Sequence, residues 1–168
     1  MRFAAWNIQR GLFSKIDGIQ HMADLHKLDF FALSEVDLAS DFETPLKNEF
    51  DCFRSAENPT RVIVYCRNTL KMKQVDYHGE MPAVVIESAQ CTFAFVYGEF
   101  TAQPYSGLSI SLTDKQRCTR IMVFLDWFNS IAKKNCFVAG DCNIHWESQN
   151  VSKIKKTIGA RILDFCKL

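Results

Sequence analysis

The sequence predicts an α/β domain in which two β-sheets pack together and helices cover their outer faces. Three observations predict it. Short runs of only apolar residues, such as Phe30-Phe31-Ala32-Leu33 and Cys136-Phe137-Val138-Ala139, read as strands buried on both faces. Two longer stretches carry apolar residues at helical spacing, one near each end of the chain. Between them lies a segment of β-rich pieces with little helical period. The order is β-α-β, then a β meander, then α-β-α, which suits two packed sheets with outer helices.

Taken in order, Phe3 to Ile8 reads as the first strand. Ile16, Ile19, Met22, Ala23 and Leu25 recur on one face, so residues 15–27 are expected to be a helix. Phe30 to Leu33 follows as a strand ending at Ser34-Glu35. Residues 38–50 read as irregular, with room for a short helix. Val62 to Cys66 is a strand, and Leu70 to Tyr77 a further strand candidate. Ala83 to Glu87 and Thr92 to Tyr97 form a hairpin about Ser88-Ala89-Gln90. Residues 98–111, which contain Gly, Ser and Pro, read as a loop. Thr113 to Ala132 is the longest helix, with Ile121, Phe124, Leu125 and Phe128 on one face. The strand Cys136 to Ala139 is cut off by Gly140-Asp141, and residues 152–167 form a final helix.

Length and composition bound the function. At 168 residues the chain is a single domain able to bury a core for its 14 Phe. A net charge of +1 gives no global field for nucleic acid, so contact with a phosphate backbone must come from local patches or a metal ion. The 7 cysteines show no CxxC spacing and sit largely in apolar runs, as small buried hydrophobes do in a reducing compartment. Cys142 and His145 alone approach the spacing of a zinc site, and they are too few to make one. No apolar stretch approaches the roughly 18 residues that span a bilayer. The reading is a soluble intracellular protein with no membrane partner.

The chemistry sits where apolar strands give way to polar residues. Asn7 follows Phe3-Ala4-Ala5-Trp6, Glu35 follows Phe31-Ala32-Leu33-Ser34, and Asp141 and Asn143 follow Phe137-Val138-Ala139-Gly140. Such positions line the rim of a sheet, where clefts form. Each alone reads more simply as a cap or turn residue; it is the coincidence of three that points to a site. Glu35 is a hard oxygen ligand suited to Mg²⁺, which takes one or two carboxylates plus water and substrate phosphate. Asp141 and Asn143, two apart in an extended segment, are expected on one face. The Asp can orient or deprotonate water, and the Asn can donate to a phosphate oxygen. His145 follows on the same alternation, next to Trp146; both are candidate substrate contacts, against the plainer account of loop packing.

These blocks carry a resemblance. Trp6-Asn7-Ile8-Gln9-Arg10-Gly11, Leu33-Ser34-Glu35-Val36 and Ala139-Gly140-Asp141-Cys142-Asn143 resemble, in order and spacing, three signature blocks of the endonuclease/exonuclease/phosphatase superfamily. Leu28 to Glu35, Arg61 to Arg67, Tyr97-Gly98-Glu99-Phe100 with Gln116 to Arg120, and Arg161 to Phe165 are most similar to the target-nicking endonucleases of non-LTR retroelements. The resemblance implies a four-layer α/β sandwich and phosphodiester hydrolysis by in-line attack of water. It implies Mg²⁺ (or Mn²⁺ in its place), held by Asn7 and Glu35. Tyr97 would contact the scissile phosphate, Asp141 would align water, Asn143 would bind a phosphate oxygen, and Gln9 would lie near substrate, where some branches carry an acidic residue.

The departures define the alternatives. Gly98 stands where related sequences carry an arginine. The family's terminal Ser-Asp-His-type segment has no counterpart before Leu168, so the expectation is a C-terminally incomplete sandwich with an exposed sheet edge and some self-association. Three functions follow: a Mg²⁺-dependent endonuclease nicking DNA, nuclear if it is a retroelement product with a reverse transcriptase downstream; a phosphatase or lipid phosphodiesterase of the same superfamily; or a catalytically weak relative that binds or dimerises.

Overall fold

The computed structural model describes residues 1–39, 42–99, 101–102 and 110–143. In chain order these are β1 (Phe3–Asn7), α1 (Leu12–Leu25), β2 (Phe30–Leu38), β3 (Phe50–Arg54), β4 (Thr60–Arg67), β5 (Lys73–Val75), β6 (Ala83–Glu87), β7 (Cys91–Tyr97), β8 (Thr101–Ala102), β9 (Ile110–Ser111), α2 (Asp114–Ile131) and β10 (Asn135–Asp141). The first sheet has the order β1-β2-β4-β3 and the second β10-β7-β6-β5, while β8 and β9 pair separately.

Each sheet is built on one parallel pair joined through a helix. β1 runs parallel to β2 through α1, and β10 runs parallel to β7 through α2. A parallel pair needs such a crossover, because a tight turn cannot return the chain to the same end. The remaining strands add antiparallel, β4 on β2, β3 on β4, β6 on β7 and β5 on β6. Asn7, Tyr97 and Asp141 therefore end β1, β7 and β10, while Glu35 lies within β2, three residues before its end.

Three apolar clusters separate four layers. Leu12, Ile19 and Ala23 of α1 pack with Phe31, Leu33, Ile63 and Tyr65 on one face of the first sheet. Phe30, Ala32, Val62 and Val64 from its other face meet Val84, Ile86, Phe93 and Phe95 of the second sheet. Ala83, Val85, Ala94 and Val96 then meet Cys118, Ile121, Phe124 and Phe128 of α2. Period-2 alternation along β2, β4, β6 and β7 sorts successive residues into successive clusters. This is the four-layer α/β sandwich expected from the sequence.

Several boundaries differ. α1 begins at Leu12 rather than residue 15, since Leu12 is fully buried and Gly11 supplies a left-handed φ of 74° just before it. α2 starts where Thr113 accepts from the Gln116 backbone N–H while the Gln116 side chain accepts from the Thr113 N–H, a reciprocal cap. β3 lies within and beyond the segment read as irregular; it is an edge strand whose Asp51 and Arg54 mask the alternation. The strand read over Leu70 to Tyr77 shrinks to Lys73–Val75, preceded by a 3-10 turn at Asn68–Leu70. The helix read over 152–167 lies outside the described residues. Among the described residues, no helix is long and apolar enough to cross a membrane.

The inter-sheet core depends on ring packing about Phe30. Its ring stacks on Phe3 at 5.3 Å and meets Phe93 and Phe95 edge-on at 4.8 and 5.8 Å. Replacing Phe30 by Ala is expected to cost about 3–5 kcal/mol, through lost transfer energy and a cavity. Urea unfolding of the variant measures it.

Candidate functional site

Asn7 lies at the end of β1 beside the parallel end of β2, and its position is set from both sides. Its Oδ1 accepts the Gln9 backbone N–H at 3.0 Å. Gln9 and Arg10 then take left-handed φ values of 48° and 68° leading into Gly11, and Lys15 Nζ donates to the carbonyls of Ile8 and Arg10. With its oxygen so engaged, the Asn7 amide nitrogen points across the rim. It donates to Glu35 Oε1 at 2.8 Å and to Asp141 Oδ2 at 3.2 Å. One amide thus bridges carboxylates from two different sheets.

Glu35 does not follow the end of its strand, as the sequence reading had it. β2 continues to Leu38 through an irregularity in which Ser34 pairs with Val62 but Leu38 pairs with Thr60. Glu35 and Asp37 both have positive φ there, 57° and 55°. Left-handed backbone at two non-glycine residues is strained, and bulges of this kind re-aim side chains. Here the bulge brings Glu35 to the rim where Tyr97, 7% exposed, donates its hydroxyl to Glu35 Oε1 at 3.0 Å. Burial, reinforced by the Glu35 carboxylate, pushes the Tyr97 phenol well above its ordinary pKa, so it stays a donor at neutral pH.

At the end of β10 the expected alternation fails. Asn143 has φ 49°, so the chain is no longer extended. It reaches the site by a turn in which its backbone N–H donates to Asp141 Oδ1 at 2.9 Å. Its side chain donates to the Gly98 carbonyl at 2.7 Å. The turn is possible because β7 and β10 approach closely at their ends. Gly98 N–H donates to the Asp141 carbonyl at 2.7 Å, and a Cβ on Gly98 would lie 2.2 Å from the Cys142 carbonyl oxygen. Gly98 is therefore required by packing. Gly140 is likewise inside β10 rather than at its exit: its φ is 137°, and a Cβ would lie 2.0 Å from the Val96 carbonyl oxygen.

The structure thus brings Asn7, Glu35, Tyr97 and Asp141 into one hydrogen-bonded set, with Asn143 attached through Asp141. Gln9 is exposed nearby; its backbone, not its side chain, contacts the set. His145 and Trp146 lie outside the described residues. The sequence reading missed Asp37, which binds Arg61 and Arg10, each at 2.7 Å. Arg61 also holds Glu99 at 3.1 Å. Glu99 nonetheless has a raised pKa, because burial outweighs the pull of Arg61. Arg61 and Glu99 were visible as charges flanking apolar strands, but nothing local announced that they pair.

The donor set fits a hard divalent cation. Glu35 and Asp141 present carboxylate oxygens to the rim, and Glu35 Oε2 accepts no hydrogen bond among the described residues, whereas Asn7 meets them with its nitrogen, which cannot ligate a cation. Among those residues no three His, Cys, Asp or Glu side chains gather into a metal cluster. Mg²⁺ does not ask for one, since it takes one or two carboxylates and fills its shell with water and phosphate oxygens. A thiolate ligand from Cys142 is disfavoured: burial, then the Asp141 charge, push its pKa up to about 11.

The fold is shared with several solved structures. The structure is similar to the 3' phosphatase NExo from Neisseria, bound to a product DNA hairpin (TM-score 0.66, 14% identity), covering 98% of this chain and 70% of that one. It is similar to D. rerio TDP2 complexed with single strand DNA product (0.58, 16%), covering 92% and 63% respectively. A functionally unknown conserved protein from Enterococcus faecalis V583 has the same fold (0.60, 12%, covering 95% and 72%). At these identities the likeness shows the fold alone. The family, however, is shown by sequence: the Endonuclease/Exonuclease/phosphatase family matches residues 4–162, and this chain belongs to it. A search of curated proteins found no match.

Two outcomes follow from the geometry. Gly98→Ala is expected to destabilise the protein by more than about 2 kcal/mol, since backbone must move to admit the methyl group; thermal unfolding reads this directly. Glu99 has a folded-state pKa above its unfolded value, so it favours the fold in its protonated form. That contribution is present below the ordinary Glu pKa and is lost as pH rises through the folded value. Glu99→Gln should therefore gain stability relative to the wild type on going from pH 4.5 toward neutrality, as parallel melts at several pH values would record.

Proposed function

We propose that this protein is a Mg²⁺-dependent phosphodiesterase that cuts a DNA strand. The observation that carries the reading is the Asn7 bridge, which draws Glu35 and Asp141 from separate sheets onto one amide at 2.8 and 3.2 Å. Two carboxylates held that close, by neutral donors, repel each other until a cation or a proton joins them. A divalent ion on Glu35, joined by Asn7 once its amide turns its oxygen toward the rim, would neutralise phosphate charge and the charge building on the leaving oxygen.

The chain's own residues would do the rest. Asp141, fixed by the Asn143 N–H and the Asn7 amide, has an orientation set before substrate arrives, as a group that aligns or deprotonates water needs. The Tyr97 hydroxyl, held neutral, donates its one hydrogen to Glu35 and keeps that carboxylate aimed at the rim; to contact the scissile phosphate it would turn that hydrogen from Glu35 to a phosphate oxygen. Asn143 keeps one amide hydrogen on Gly98 and has a second for the substrate.

DNA as the substrate is supported by the DNA products in the NExo and TDP2 structures and by family membership. The retroelement-type nicking activity rests on the resemblance of Leu28 to Glu35 and of Tyr97 to Phe100; in that role a reverse transcriptase would follow in a longer polyprotein. Supercoiled plasmid with Mg²⁺ is expected to be nicked by the protein. Glu35→Gln and Asp141→Asn should each lower the rate by about 10²–10⁴-fold. An unreactive plasmid, or equal rates in all three proteins, sinks the reading.

A further inference from the structure

Arg61 stands on β4, which carries none of the residues assigned above. Its side chain is 15% exposed, and the guanidinium forks between two carboxylates: Nη1 to Asp37 Oδ1 at 2.7 Å and Nε to Glu99 Oε1 at 3.1 Å. Asp37 is two residues past Glu35, inside the β2 bulge of the first sheet. Glu99 is two residues past Tyr97, beyond the end of β7 in the second sheet. We propose that Arg61 is a positioning residue: it clamps the ends of β2 and β7 across the sandwich and so sets the reach between Glu35 and Tyr97.

The need for such a clamp is physical. The two sheets meet through an apolar cluster, and apolar contact is non-directional, so it does not by itself fix how the strand ends lie against each other. The bulge adds strain at Glu35 and Asp37, which persists only where neighbours over-determine it. A fork with two differently directed N–H groups can hold two carboxylates at once, whereas a lysine offers a point charge. A pair this shielded contributes little net stability once desolvation is counted, so its value lies in geometry.

Each carboxylate also has a weaker second cation. Asp37 meets Arg10, whose side chain is 75% exposed, and Glu99 meets Arg120 at 3.8 Å. Neither arginine reaches both carboxylates, so neither can replace the clamp. The Arg61 backbone is itself anchored, its N–H donating to Glu57 Oε1 at 2.8 Å.

The catalytic consequence rests on the function proposed above, but the clamp itself does not, and the test separates them. Two amides report the strand ends: Arg10 N–H, bonded to the Glu35 carbonyl at 2.8 Å, and Gly98 N–H, bonded to the Asp141 carbonyl at 2.7 Å. Arg61→Gln should speed hydrogen exchange at both by about tenfold or more. Arg61→Lys should restore at most one of them. Arg67→Gln, at the opposite end of β4 where Arg67 pairs with Asp24 and Glu49, should leave both unchanged. In the plasmid assay Arg61→Gln should lower kcat with little change in KM. If Arg61→Gln does not fold, Asp37→Asn and Glu99→Gln singly should each loosen both amides. Exchange unchanged at either amide, or equal loosening in Arg67→Gln, overturns the clamp whether or not the protein cuts DNA.

Discussion

A single side-chain amide joins the two halves of this molecule at the point where its chemistry would occur. Asn7 presents one nitrogen to Glu35 of its own sheet and to Asp141 of the other, and its oxygen is held by the chain just beyond it. The rest of the architecture serves this meeting. Two helix crossovers aim the ends of β1, β7 and β10 and the bulge of β2 at one rim, and three apolar layers hold the sheets at the spacing the amide spans. Were Asn7 an aspartate, three carboxylates would crowd the rim; as an amide it donates without adding charge.

The unusual backbone is concentrated around that rim. Gln9, Arg10, Glu35, Asp37 and Asn143 take left-handed conformations without being glycine, while Gly11 and Gly140 take theirs at less cost; Lys27, Leu46 and Lys71 do so in turns away from the rim. Secondary structure alone would point the strand ends past one another. The departures bend each end inward, and the ion pairs and short hydrogen bonds nearby hold them bent. Strain gathered mainly where function is expected is the distribution a preorganised site requires.

Much of this was legible from composition and pattern. The apolar runs of β2, β4, β6 and β7 announced buried strands, and the polar residues near their ends marked the rim; β10 was read as buried on both faces too, but it borders its sheet among the described residues and leaves Phe137 38% exposed. What stayed hidden had no local signal. The bulge at Glu35 lies inside a sequence that reads as a strand ending, because no glycine or proline marks a left-handed residue there. The turn that delivers Asn143 imitates an extended segment two residues long. Asp37, Arg61 and Glu99 each look like ordinary surface charges; only the tertiary fold brings them together, from residues 24 and 38 positions apart. β3 was missed because Asp51 and Arg54, one on each face, interrupt its apolar pattern, and a strand at the border of a sheet tolerates such charges.

The Asn7 to Asp141 contact spans 134 residues, from the first described strand to the last. Contacts of such separation are among the slowest to form, since loop closure must be completed before they can stabilise anything. A nascent chain emerging from the ribosome would hold half of the rim long before the other half exists. The rim would be complete only once Asp141 and Asn143 had been made, and a product stopped before them would lack the second sheet's share of it.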